Sequence, residues 1–255
     1  MHLLPAWFFR LSVGACGALT ACASVNAQHQ GTLTTEARLQ VAEAAEASGD
    51  SDLAISMYTA AAASEPSDIA LQLRCVDALA RGGKITQARQ LLTDRLRTNH
   101  GQHDLIRALA LVDLVAGQPA QAIAQFDQIL ATNPADIRTL VDKAVALDLL
   151  AQHTAAQAIY RQVLATAPND PAAINDLAIS MMLEGHLQQA LETLAPMQDT
   201  VTSPPRLKVN LGILYAVTGN LERSRQLLGT HVSDDDLSAL TRALALSAAD
   251  IHAGP

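Results

Sequence analysis

The sequence predicts an all-α protein made of about six repeated helical hairpins closed by a final helix, and three observations predict it. Ala and Leu dominate a composition that is 49% hydrophobic and only 3% aromatic, which favours helices. One set of residues recurs at a constant step of 34, and no insertion or deletion interrupts the count. Proline follows the second half of three of those units, where a helix has to stop. A length of 255 residues would allow one or two compact domains, but a repeat array needs no internal boundary, so one folded unit is expected.

Residues 1–21 come first. A short apolar run from Leu11 to Ala21 follows Arg10 and ends in Leu19-Thr20-Ala21-Cys22. It is too short to span a bilayer as a stable helix and reads as a signal peptide. Leu-Thr-Ala-Cys resembles the lipobox of bacterial lipoproteins, which implies that the sulfur of Cys22 receives a diacylglycerol and that the new N-terminus receives a further acyl chain. Several chains together make a firm anchor. The alternative is an ordinary secretory signal cut after Val25-Asn26-Ala27 or Ala21-Cys22-Ala23, leaving a free periplasmic protein. Ala23 to Thr34 is polar and lacks helical periodicity, so residues 22–34 are expected to form a flexible tether.

Cysteine usage agrees with export. Cys16 leaves with the signal and Cys22 carries lipid, so Cys75 alone remains as a thiol and no internal disulfide can form. The formal net charge is -8, and losing the signal makes the chain one unit more acidic. Such a surface argues against nucleic acid and against a polybasic membrane contact.

The repeats follow. Gly49, Gly83, Gly117, Gly185 and Gly219 stand on one ladder, with Ala151 on the missing rung. Each rung should end a first helix, where a left-handed backbone suits glycine. Five residues on stand Ala54, Ala88, Ala122, Ala156, Ala190 and Ser224, small enough for the second helix to approach the first closely. Tyr58, Leu92, Phe126, Tyr160, Leu194 and Leu228 come one turn later and fill the space between hairpins. Pro66, Pro134 and Pro168 follow the second helices. This pattern resembles the tetratricopeptide repeat over residues 35–238, and Leu211-Gly212 with Tyr215 completes the first-helix signature in the last unit. The resemblance implies a right-handed superhelical solenoid.

Two units depart from the pattern. Repeat 2 carries His100 where proline is usual, and repeat 5 carries Pro196 inside its second helix, which should therefore end near Ala195. Ser233 to Asp236 read as an N-cap and acidic first turn of a last helix, Leu237 to Ala249, which with its tail (residues 239–255) covers the end of the stack. Capped ends favour a monomer.

No constellation for chemistry emerges. His100 and His103 flank Gly101 in a turn with no carboxylate or thiol to complete a metal pattern. Cys75 lies among Leu71, Leu73, Val76 and Leu79 and reads as a buried thiol. Asp234, Asp235 and Asp236 suit a helix dipole better than a cation. No phosphate loop, nucleophile elbow or zinc helix is present, so neither an enzyme nor a cofactor is expected.

In tetratricopeptide arrays first-helix side chains line a concave face, which the resemblance assigns here to two halves. Repeats 1 and 2 present a polar stretch with Glu36, Glu43, Arg74, Asp77 and Arg81, while repeats 3 to 6 present an apolar groove. The residues expected to bind a partner are Leu111, Leu114, Val145, Ile179, Met182 and Ile213, of which Leu111, Val145, Ile179 and Ile213 share one repeat position. The alternative for the set is packing between neighbouring hairpins. With three lysines in the chain the paired Lys, Arg and Asn of carboxylate-clamping relatives are missing. An amphipathic helix or apolar segment fits better. The whole layout resembles the type IV pilus pilotins and, more closely, the TadD-type lipoproteins of the tight-adherence (Flp) pilus. That implies an outer-membrane, periplasm-facing lipoprotein that helps a pilus secretin assemble; the alternative is an adaptor for peptidoglycan-modifying enzymes, resembling the NlpI-type lipoproteins.

Overall fold

The computed structural model describes residues 33–198 and 205–229, with Ser233, Asp235 and Ala239 as isolated positions. The expected signal, Cys22, most of the tether and the final helix lie outside the described residues.

Twelve α-helices and no strand occur among the described residues. They are α1 Thr35–Ser48, α2 Ser51–Ser64, α3 Ile69–Arg81, α4 Ile85–Thr98, α5 His103–Val115, α6 Pro119–Leu130, α7 Ile137–Asp148, α8 His153–Thr166, α9 Pro171–Leu183, α10 Leu187–Leu194, α11 Pro205–Val217 and α12 Leu221–Leu228. Odd-numbered helices all start 34 residues apart, and so do the even-numbered ones. Each helix packs on its neighbours in sequence, and from α3 onward each first helix also touches the first helix of the next repeat. The first helices therefore form an inner layer and the second helices an outer one.

Backbone chemistry explains this regularity. All six ladder residues have positive φ; the glycines run from 71° at Gly117 to 89° at Gly219, and Ala151 reaches 57° despite its methyl group. Behind each rung a backbone N–H reaches back across the helix end: Asp50 to Ala45, Lys84 to Leu79, Gln118 to Asp113, Gln152 to Leu147, His186 to Met181 and Asn220 to Tyr215, all at 2.7–2.9 Å. Such bonds satisfy carbonyls that a helix end leaves orphaned. At the other ends, Thr34, Asp68, Asp136 and Asp170 accept backbone N–H groups of α1, α3, α7 and α9. Each such cap contributes about 1 kcal/mol. Gln102 at the matching place before α5 makes no such bond.

The small residues of the outer helices, Ala54, Ala88, Ala122, Ala156, Ala190 and Ser224, are all buried, as are Tyr58, Leu92, Phe126, Tyr160, Leu194 and Leu228. Gly212 lies so close to Leu228 that an added Cβ would come within 2.6 Å of the Leu228 side chain. As the sequence leads one to expect, α10 stops at Leu194, and Pro196 sits in a short 3₁₀ turn, Ala195–Met197. No helix among the described residues is long and apolar enough to cross a membrane.

Candidate binding groove

The inner helices leave a cavity of about 510 Å³ between α3 and α5, bounded beyond them by Arg138 of α7. Leu73, Val76 and Ala80 form one wall, and Ala108, Leu111, Val112 and Val115 the other. These residues recur at helical spacing on two neighbouring helices, so each helix turns one apolar strip into the gap. Asp77, Arg81, Asp104, Arg107 and Arg138 supply the charged rim.

Most of that charge is compensated. Arg81 pairs with Glu46 and, at 2.9 Å, with Asp77. Arg107 Nε donates to Asp142 Oδ2 at 2.6 Å, tying α5 to α7. Burial pushes the Asp142 carboxyl above its ordinary value, and the Arg107 guanidinium partly offsets this. Farther along the inner layer, burial also raises Asp176, which accepts from Asn175 Nδ2 at 2.8 Å. Asn175 Oδ1 in turn accepts from Asn210 Nδ2 at 2.8 Å. The inner face of repeats 3 to 6 is therefore an apolar surface with a hydrogen-bonded polar row.

The residues expected to bind a partner occupy different environments. Leu111 lines the cavity and is at the same time half-buried against the small cluster around Phe126. Leu114 is half-buried against the same cluster. Val145, Ile179 and Ile213 are half-buried against the core of repeats 4 to 6. Met182 is only 9% exposed and belongs to that core, where its flexible thioether chain can fill irregular space. By contrast Val115 is 66% exposed and Leu149 59% exposed. The α3 wall was missed by reading repeats 1 and 2 as polar. Leu73 occupies the same repeat position as Arg107, and that equivalence was the available signal.

Cys75 is buried, contacts Thr59 Oγ1 at 3.5 Å and has its thiol pushed up by burial, which makes it a poor nucleophile. His103 meets Thr132 Oγ1 at 2.9 Å, and His153 meets Asp148 at 2.8 Å. Among the described residues no three metal-ligating side chains cluster.

Comparison with known proteins bears on the fold. Among solved structures the chain is similar to PilW, described as a widely conserved type IV pilus biogenesis factor, with a TM-score of 0.63, 20% identity, and coverage of 81% of this chain and 98% of that one. It is also similar to TTC0263, a thermophilic tetratricopeptide-repeat protein of Thermus thermophilus, with a TM-score of 0.60, 17% identity, and coverage of 71% and 98%. At these identities the likeness is one of fold. No curated protein matches the chain. Repeat arrays of this kind present extended concave surfaces to protein partners. A family model described as the protein kinase G tetratricopeptide repeat matches residues 21–205, and the chain belongs to that tetratricopeptide-repeat family.

Proposed function

We propose that this chain is a non-enzymatic scaffold, anchored by lipid on Cys22 to the periplasmic face of the outer membrane, that holds a helical or apolar segment of a pilus assembly component such as a secretin. The observation that carries the binding part is the apolar gap between α3 and α5 with its compensated charged rim. A gap lined by two apolar helical strips suits a third helix laid along them, each side chain of the guest filling a hollow between turns. Compensated rim charges keep an empty groove soluble and give the guest register.

The pilus assignment draws on the fold shared with PilW and on the lipobox-like Leu19-Thr20-Ala21-Cys22. In this reading the lipid supplies location and the groove supplies recognition. Changing Cys22→Ser should leave a longer, unacylated precursor, detected by mass spectrometry, and normal maturation of that variant would remove the anchor from the proposal.

The test of the partner is crosslinking in gently solubilised envelopes, followed by affinity purification and identification of what co-purifies. A secretin or other pilus component as the dominant partner supports the proposal. Murein hydrolases or synthases would replace it with the role of a cell-wall adaptor, and the absence of any protein lost on Leu111→Asp would overturn the groove.

A further inference from the structure

The solenoid has two edges. Turns within repeats lie along one, because each first helix runs toward it and each second helix runs back, and turns between repeats lie along the other. Their chemistry differs. The turns between repeats at 65–68, 99–104, 131–136 and 167–170 hold Glu65, Asp68, Asp104, Asp136 and Asp170, and no Lys or Arg. The turns within repeats 3, 4 and 5, at 115–120, 149–154 and 183–188, hold Glu184 and no other Asp, Glu, Lys or Arg. Glu184 is half-buried and accepts from Thr154 Oγ1 at 3.0 Å and from Gln157 Nε2 at 2.7 Å, so its charge is held among neighbours.

Apolar side chains take the place of charge on that edge. Val115, Leu149 and Leu183 stand at one repeat position, where the first helices of three consecutive repeats end, and Leu150 follows Leu149. Val115 is 66% exposed, Leu149 59% and Leu150 38%, while Leu183 is half-buried. Charge returns on either side, with Arg81 and Lys84 in repeat 2 and Glu222 and Arg223 in repeat 6. The uncharged apolar stretch is thus confined to repeats 3 to 5.

Size and charge decide what fits it. Neighbouring helices pack roughly 10 Å apart, so three rungs make a strip on the order of 300 Å², short of the roughly 800 Å² that each partner buries in a stable complex. A second copy would be held too weakly. A bilayer asks less, because a chain already anchored to it meets the surface at high effective concentration. Approach to lipid does require desolvating every charge brought close, which bars the acidic edge and leaves the neutral one. The anchor also reaches. Cys22 lies 12 residues before Thr34, the cap of α1 on the acidic edge. Such a length of chain spans at most about 40 Å, whereas the 14 residues of α1 set the two edges about 21 Å apart.

We propose that the edge formed by Val115, Leu149, Leu150 and Leu183, with the turns that follow them, rests on the lipid bilayer that carries the anchor. The proposal rests on the reading of Cys22 as the lipidated residue. Val115 also ends one wall of the cavity between α3 and α5, so the groove opens beside the bilayer.

The mature chain of that reading begins at Cys22 and keeps all twelve helices. Coupled through Cys22 to a maleimide lipid in phosphatidylcholine vesicles, it is tethered whether or not a cell acylates it; Cys75 is buried and does not compete. Hydrogen exchange should slow several-fold over 115–120, 149–154 and 183–188 on tethering, and stay unchanged over 65–68, 99–104, 131–136 and 167–170. Val115→Glu with Leu149→Glu should abolish the slowing while circular dichroism stays that of the parent, and Val115→Ser with Leu149→Ser replaces that pair if it does not fold. No slowing in the tethered parent overturns the proposal, as does slowing at the turns between repeats instead. The same slowing without lipid, appearing as protein concentration rises, would assign the edge to a second copy and also overturn it. Because the tether here is chemical, an unmodified Cys22 in cells removes the anchor without changing this result, and absent slowing removes the edge without touching the anchor.

Discussion

Ala151 carries a left-handed backbone that its five ladder counterparts assign to glycine. For an L-residue with a Cβ this region costs roughly 1–2 kcal/mol, and glycine gives part of that back through its freer unfolded state. Ala151→Gly should therefore raise stability by about 1 kcal/mol, read as a shift in the chemical denaturation midpoint at unchanged slope. Asp176 makes a second residue-scale case. Burial raises its folded pKa above the ordinary carboxylate value, and the Asn175 amide only partly offsets this. A carboxyl raised on folding stabilises most below its unfolded pKa, and that contribution is lost as pH climbs through the folded value. Asp176→Asn should thus raise stability at neutral pH and flatten the stability profile between the two pKa values. An unchanged profile in thermal melts across mildly acidic pH would remove the buried carboxylate from the argument.

At the scale of the element, the ends of the first helices, and of the second helices that a proline follows or interrupts, were legible because backbone geometry selects residue type directly. A left-handed turn asks for glycine, a helix cannot run through proline, and a tight hairpin asks for alanine, so one strict ladder fixed six hairpins. Repeat 5 shows the same legibility in its exception. Its outer helix α10 has 8 residues where α8 has 14, and Pro196 lies in the 3₁₀ turn that ends it. Proline removes a donor and crowds the carbonyl four residues back. Pro196→Ala should let α10 run on by about one turn of 3.6 residues, visible as a gain in helical ellipticity and as new exchange protection after Leu194. No gain would mean that the segment after Leu194, rather than Pro196, sets the end. What stayed illegible was the ion pair of Arg89 on α4 with Asp113 on α5, which meet at 2.6 Å. Each residue alone looks like a solvated charge, and only the stacking of α4 on α5 makes them a pair.

At the scale of the molecule, the repeat phase says which helix faces inward but not which inward side chains remain open. Local packing decides that. Met182 and its neighbours are packed into the core, whereas Leu111 lines the cavity between α3 and α5 and Val115 is left exposed. Two residues assigned from sequence to one groove therefore predict opposite behaviour. Leu111→Asp places a carboxylate at a half-buried position that faces the cavity and borders the Phe126 cluster, so helix content should stay near that of the parent and the melting temperature fall far less than for a core change, while capture of the partner is lost. Met182→Asp buries a carboxylate in the apolar core of repeats 4 to 6, and an unpaired charge there costs several kcal/mol. That variant should lower the melting temperature sharply or fail to fold. Circular dichroism melts of the two, set beside crosslinking yield, separate groove from core. If both variants fold and both lose the partner, the groove continues along repeats 4 to 6 as the repeat phase alone implied. If both unfold, the packing of Leu111 on the Phe126 cluster outweighs its exposure to the cavity, and that position is core rather than binding surface.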